Sequence, residues 1–219
     1  MILPAVIPTS LEHIFAIAKR VKPFVREFQI DVVDGAFVPF LSWPYGVGEA
    51  AGQPKDIRSL STMFDIEIDL MIDGAEEELP RWLAAGVKRV VVHLESYADS
   101  EQAHLLCKEA GVLLGVAASN DTPLALFLDA LEHADYAQCM GIAQIGTQGQ
   151  QFDMRVLERT LAVRAKFPEL PVAVDGSVNK DTLLTLRAHG VSRFIVGSAL
   201  MSSEDIAATY AELTELIHT

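Results

Sequence analysis

The chain has 219 residues, half of them hydrophobic and 7% aromatic, enough to bury a sizeable core of Val, Leu, Ile and Ala in alternating strands and covering helices. Thirty acidic residues against seventeen basic ones leave a formal net charge of −13, which argues against a nucleic-acid partner and against an anionic membrane surface. It does not argue against a phosphorylated ligand, because backbone N–H groups at helix starts hold phosphate without Lys or Arg.

Residues 2–7 read as a short buried strand. No basic region precedes it, no cleavage signature follows it, and no apolar run is long enough to span a bilayer, so a soluble cytoplasmic protein is expected. Thr9 or Ser10 can cap a helix over Leu11–Val21. A second strand is expected over residues 24–33, a loop with Pro39 over 34–42, and a helix starting near Pro44 ahead of a polar stretch to Ser61. Residues 64–71 form the third strand, and a helix over 75–85 stops at Gly86. The fourth strand covers 88–93, and the helix over 100–110 ends at Gly111. A fifth strand follows at 112–117, and Thr122-Pro123 opens a helix with Pro at its first position.

The sixth strand, residues 136–142, runs into a glycine-punctuated loop, residues 143–150. Then come a helix over 153–167, a seventh strand over 171–174, a helix over 179–189 closed by Gly190, an eighth strand over 193–196 and a last helix over 203–217. Cys107 and Cys139 are too far apart to suggest a disulfide framework or a zinc site, and read as buried thiols. Strand and helix alternate across residues 1–219 with short connections and no linker. That is the pattern of a single (β/α)8 TIM-barrel domain, with an open doubly wound sheet as the alternative.

In such a barrel the site lies where strands end and βα loops begin. Those ends offer Gln29, Asp31 and Asp34; Asp69 and Met71; His93 and Glu95; Met140; Asp175 with Gly176; and Gly197-Ser198. Asp31 and Asp175 each end an otherwise apolar strand, where a carboxylate is costly unless something uses or pairs it. Two such acids suit a reaction that removes a proton from one face of a carbon and returns one to the other. His93 reads as a packed, hydrogen-bonded histidine. No nicotinamide or flavin fingerprint is present, so no organic cofactor is expected, and no Lys ends a central strand to form a Schiff base.

Asp31-Val-Val-Asp-Gly-Ala-Phe-Val-Pro39, Asp69-Leu-Met-Ile72, Val92-His-Leu-Glu95, Val174-Asp-Gly-Ser-Val-Asn179 and Val196-Gly-Ser-Ala199 stand in order, each at a strand end. Together they resemble the ribulose-phosphate 3-epimerase family over nearly the whole chain. The resemblance implies a barrel of the ribulose-phosphate-binding type. It implies an enzyme that inverts the carbon next to the ketone of a phosphorylated keto-sugar, with Asp31 and Asp175 as the acid/base pair acting through an enediolate. It also implies a homo-oligomer working in the cytoplasm, with a small phosphosugar as its partner. The phosphate would lie on Gly176, Ser177, Gly197 and Ser198, with Gly146 and Gly149 from the loop after strand six, and Met71 and Met140 would line the substrate site. That loop matches the family's glycine-rich loop only at Gly149-Gln150.

The likeness is weakest at the metal. Two histidines of the family's ligand set are replaced here by Gln29 and Asp69, leaving Asp31, Asp69, Asp175 and Gln29 as an oxygen-only set. Oxygen ligands favour Mg²⁺ or Mn²⁺ over Zn²⁺. Three carboxylates crowded together must either bind a cation or protonate. The family's Pro-Ser near the sugar is Pro4-Ala5, and one of its methionines is Val33. Two other functions compete on the same barrel: a metal-dependent phosphosugar lyase, which would want a Lys beside the acids, and a non-catalytic sugar-phosphate binding protein.

Overall fold

Short, mostly apolar runs form eight strands: β1 (Ile2–Val6), β2 (Glu27–Val33), β3 (Asp65–Met71), β4 (Arg89–His93), β5 (Leu113–Ala118), β6 (Tyr136–Met140), β7 (Val172–Asp175) and β8 (Arg193–Val196). In the computed structural model, which describes residues 1–97, 99–146 and 149–218, these strands pair in parallel, each with its sequence neighbour. β1 pairs with β8 through Ile2–Phe194 and Leu3–Ile195, closing the barrel. The expected (β/α)8 barrel is therefore the fold, and the open sheet is excluded.

Between strands run α1 (Leu11–Val21), α2 (Arg58–Ser61), α3 (Ala75–Leu83), α4 (Ser100–Ala110), α5 (Leu124–Ala130), α6 (Arg155–Lys166), α7 (Leu183–Ala188), α8 (Ser198–Met201) and α9 (Ile206–Leu216). Period-2 alternation along each strand splits the interior into layers. Outward residues such as Ile30, Val32, Ile66, Ile68, Leu70, Val90 and Val92 join one large core with the helix faces, for example Ile14, Ile17 and Val21 of α1 and Leu79 and Trp82 of α3. A smaller cluster, including Leu3, Ala5, Val91, Ala117, Ala173 and Ile195, fills the barrel itself. No helix among the described residues is long and apolar enough to cross a membrane.

The barrel's inward positions are unusually polar, and the polar groups sort by height. At the strand starts, Arg193 Nη2 bonds Glu27 at 2.5 Å and Glu67 at 2.6 Å, Tyr136 donates its hydroxyl to Glu67 at 3.0 Å, and Arg89 lies 3.1 Å from Glu27. This network plugs the end away from the strand termini. Burial pushes the Glu67 carboxyl up to about 7, against the pull of Arg193.

Several element boundaries differ from the sequence reading, each for a local reason. No helix starts at Pro44. The backbone there is tied to strand ends, with Ser42 N–H on the Val33 carbonyl and Trp43 N–H on that of Pro8, and the helical turns come later, at Gly48–Ala50 and Pro54–Ile57. Phe24 and Val25 donate back to the Val21 carbonyl, completing the end of α1 rather than starting β2. Pro123 sits one residue before α5, not inside it. Residues 179–182 form a turn around the Asn179 side chain, which accepts from the N–H groups of Asp181 and Thr182, so α7 begins later. A short helix, α8, occupies the expected loop after β8, and the last helix, α9, begins only at Ile206, capped by the Asp205 carboxylate on Ala208 N–H.

Candidate active site

At the strand-end mouth, Asp31 of β2, Asp69 of β3 and Asp175 of β7 bring one carboxylate oxygen each within 4.8 Å of one another. Asp31 and Asp175 line a cavity of about 180 Å³ together with Ile7, Met71, Gly146 and Gly149, and with Gly176-Ser177 and Gly197-Ser198. Of the residues expected at the site, Met140 is the one substrate-side residue outside this lining; it is buried as the register partner of Asp175. Gln29 and Asp69 are fully buried and stand behind the lining.

Each acid has a defined set of partners. Gln29 Nε2 donates to Asp31 Oδ1 at 2.7 Å. Asp69 is held on both oxygens, Oδ1 at 2.8 Å from His93 Nε2 and Oδ2 at 2.7 Å from Gln138 Nε2. Burial, then the charges of Asp175 and Asp69, push the Asp31 carboxyl well above the usual range, and the Gln29 amide opposes them only in part. Burial and then the Asp69 charge push Asp175 up to about 7, against the Gly176 N–H. Burial pulls the His93 imidazole down, but the Asp69 carboxylate beside it outweighs this and leaves it raised. Like charges this close cannot all ionise without compensation, so the cluster holds a proton or takes a cation.

The donor chemistry fits an oxygen-ligated divalent cation. Three carboxylates converge, and the Gln29 Oε1 beside them is buried without a hydrogen-bond partner. The Gln29 contribution differs from expectation in one respect: its N–H end, not its oxygen, faces Asp31.

The other side of the cavity is backbone. Gly176 and Ser177 follow β7 with φ of +95° and +51°. A left-handed serine costs on the order of 1–3 kcal/mol and persists only where its surroundings fix it. Here they do: the Ser177 hydroxyl donates to the Gln150 carbonyl at 2.5 Å, and its own carbonyl accepts from Thr182 Oγ1 at 2.8 Å and Asn179 Nδ2 at 3.2 Å. Such consecutive turn residues present N–H groups to a common concavity, a known form of anion site. The lining of this cavity carries no Lys or Arg.

An apolar cover adjoins the cavity and shares Ile7 and Met71 with its lining. Val38 of the loop after β2 clusters with Val33 and Met71, and Ile7, Phe37, Phe40 and Ile145 pack against them. Gly146 is where the loop after β6 meets that cover, since a Cβ there would come within 2.9 Å of Val38. Thr147 and Gln148 of the same loop lie outside the described residues. Asp34 does not face the acids; it accepts from the N–H groups of Ala36, Phe37 and Asp73 and so ties the loops after β2 and β3 together. His93 is the packed, hydrogen-bonded histidine that was expected, and Phe37 sits 5.4 Å from its ring. Sequence reading missed Gln138. Its signal was a lone amide in the middle of the apolar run Tyr136–Met140.

The model of the ribulose-phosphate 3-epimerase family matches residues 1–201. The ribulose-phosphate 3-epimerase of Mycobacterium tuberculosis is 33% identical over 190 residues, spanning 84% of this chain and 79% of that protein. That of Aquifex aeolicus is 28% identical over 191 residues, spanning 85% and 82%. Among solved structures, the 3-hexulose-6-phosphate synthase from Salmonella typhimurium shares the fold at 19% identity, with a TM-score of 0.74 and coverage of 99% and 98%. A match over this much of the sequence, on a closed barrel with its acids at the strand ends, makes this chain a member of the ribulose-phosphate 3-epimerase family.

Proposed function

We propose that the protein is a carbohydrate-phosphate epimerase that inverts the carbon next to the ketone of a phosphorylated keto-sugar, with ribulose 5-phosphate as the substrate to test first. One observation carries the reading: Asp31 and Asp175 face one small cavity, both with raised carboxyl pKa values, opposite a backbone cradle formed by Gly176-Ser177 and Gly197-Ser198.

The chemistry needs one of the two acids ionised and the other protonated. The ionised one removes the proton from the carbon next to the ketone, and the C–H electrons move into the carbonyl to give an enediolate. The protonated one delivers its proton to the opposite face, which inverts the centre and leaves it ionised. Raised carboxyl pKa values suit a pair that shares a proton in this way. The pair is restored when the proton returns across the short gap between the two carboxyls or through solvent.

The phosphate would be held by N–H groups of Ser177, Gly197 and Ser198, with Gly176 shaping the turn while its own N–H serves Asp175. The Ser177 hydroxyl proton is committed to the Gln150 carbonyl, so the backbone must supply the donors there. Asp31, Asp69 and Asp175 would hold Mg²⁺ or Mn²⁺ in preference to Zn²⁺, with Gln29 orienting Asp31 through its Nε2. When bound, such an ion supplies positive charge against the enediolate oxygens. Ile7 and Met71 of the apolar cluster line the cavity beside the acids, and an apolar wall of this kind strengthens the electrostatic contacts next to it. A lyase reading is weaker, because the cavity lining has Met71 beside the acids and no Lys. Cytoplasmic location and homo-oligomerisation belong to the same proposal on family likeness alone, and light scattering on the purified protein tests the second.

The deciding experiment is incubation with ribulose 5-phosphate in D₂O, following deuterium entry at carbon 3 and the appearance of the 3-epimer. Both are expected in the native protein. Binding of the phosphosugar with neither exchange nor epimer would leave a binding protein and sink the enzymatic reading.

A further inference from the structure

We propose that Gln138 is a positioning residue: acting from β6 together with His93 from β4, it holds both oxygens of Asp69 so that this carboxylate meets a divalent cation in one fixed orientation. The inference rests on the cation reading above and extends it to a residue that touches neither the cavity nor the acid/base pair.

Gln138 is an inward residue of β6, 0% exposed. Its inward neighbours across the barrel wall, Ala117 on β5 and Ala173 on β7, are its register partners and are small and apolar. Packing alone gives no reason for an amide there, and burying one costs free energy unless it is hydrogen-bonded. Its single bond runs across the barrel to β3, from Nε2 to Asp69 Oδ2 at 2.7 Å. His93 Nε2 meets the other oxygen at 2.8 Å. Donors from two different strands on the two oxygens stop the carboxylate from turning about its terminal bond, since rotation would break both. Each oxygen keeps a second lone pair for a further partner.

The direction of the amide follows from its neighbour. Turned over, it would set a carbonyl oxygen against a carboxylate oxygen, so the N–H end must face Asp69. That leaves Gln138 Oε1 buried with no partner, and Gln29 repeats the arrangement with its N–H end on Asp31 and its Oε1 unpartnered. Most buried side-chain polar atoms find a hydrogen-bond partner. These two amides each spend the N–H end on orienting an acid of the cluster and leave the oxygen end unpartnered. Ligating carboxylates are in general oriented by such outer hydrogen bonds, and losing one costs about 10–100-fold in metal affinity.

The test is Mn²⁺ binding to the full chain, purified without chelator-resistant metal and measured by electron paramagnetic resonance in the absence of substrate. Wild type is compared with Gln138→Met, which keeps the volume and removes the donor. Wild type should take up one Mn²⁺ at the acidic cluster. Q138M should bind it about 10–100-fold more weakly, with a broadened bound-ion spectrum from a less uniform ligand set, while the metal-free melting temperature falls little. If Q138M fails to fold, Gln138→Asn keeps the polarity but shortens the side chain out of reach, and the same loss is expected. Equal Mn²⁺ affinity and line shape in wild type and variant would overturn the positioning role while leaving the cation reading intact. No Mn²⁺ binding to wild type would overturn the cation reading and this inference with it.

Discussion

Asp31 and Asp69 are register partners on the adjacent parallel strands β2 and β3, so their side chains leave the sheet on the same face and at the same height. Parallel pairing offers them no way apart without moving a whole strand. Asp175 enters the same space from β7, bringing the three acids within 4.8 Å. The fold therefore imposes a charge conflict at its mouth, and burial together with that conflict raises Asp31 and Asp175.

Stability should record this conflict. The Asp175 carboxyl has an ordinary value of 3.8 and a folded value of about 7, so the folded state holds that proton more tightly than the unfolded chain. Its contribution is fully present below the ordinary value and is lost as pH rises through about 7; Asp31 shifts in the same direction. Asp31→Asn or Asp175→Asn should therefore raise the melting temperature of metal-free protein at pH 8, by about 2–4 °C for each kcal/mol relieved. The gain should shrink towards zero near pH 4, where the native acids are already neutral. Thermal melts of wild type and both variants across that range check this, and a gain that does not depend on pH would contradict it.

The opposite end of the barrel should behave differently. Arg193 is the cation between Glu27 and Glu67, at 2.5 and 2.6 Å, and Glu67 is completely buried. Removing one partner of a buried pair leaves an uncompensated charge and typically costs about 3–5 kcal/mol. Arg193→Met should show a loss of that order in urea unfolding. The double variant with Glu67→Gln should recover part of it, and no recovery would mean that Glu67 is not the group left stranded.

The phosphate cradle predicts a difference between substrates. Gly197→Val places a branched side chain beside the N–H groups of Gly197 and Ser198 that line the cavity. Binding of the phosphorylated keto-sugar should weaken by at least tenfold, and binding of the unphosphorylated sugar much less. Calorimetry on both ligands checks this, and equal weakening would put the phosphate elsewhere.

Much of this architecture was legible in the sequence because strand periodicity and the Gly and Pro breaks both act locally. The acids at strand ends were readable for the same reason: Asp31 and Asp175 interrupt runs that are otherwise apolar. What could not be read was how residues far apart in the chain meet. Gln138 and Asp69 are separated by 69 positions, and only closure of the barrel sets one amide against the other's carboxylate. The helix expected at Pro44 failed on similar grounds, because Ser42 and Trp43 are held by carbonyls of Val33 and Pro8 rather than by local propensity. Gln29 was read as a ligand by its place in a motif, whereas the nearby carboxylate of Asp31 turned its amide the other way.

The mechanism yields the last prediction. On the proposed mechanism, in which Asp31 and Asp175 serve opposite faces of the reacting carbon, Asp31→Asn and Asp175→Asn should each lower the epimerisation rate by about 10²–10⁴-fold, the usual contribution of a positioned acid or base. Each variant keeps one acid, which can still remove and return a proton on its own face. In D₂O one variant should therefore wash deuterium into ribulose 5-phosphate only and the other into its epimer only, and the pattern would assign a face to each acid. The pH profile of the native protein should be bell-shaped, because activity needs one acid ionised and the other protonated. If the oxygen-only ligand set holds, exhaustive chelation should remove most of the rate, and Mg²⁺ or Mn²⁺ should restore more of it than Zn²⁺. Full activity after chelation would rule out the cation and leave the raised acids and their hydrogen-bond donors to stabilise the enediolate alone. Full activity in both Asp→Asn variants would remove the two-acid mechanism altogether.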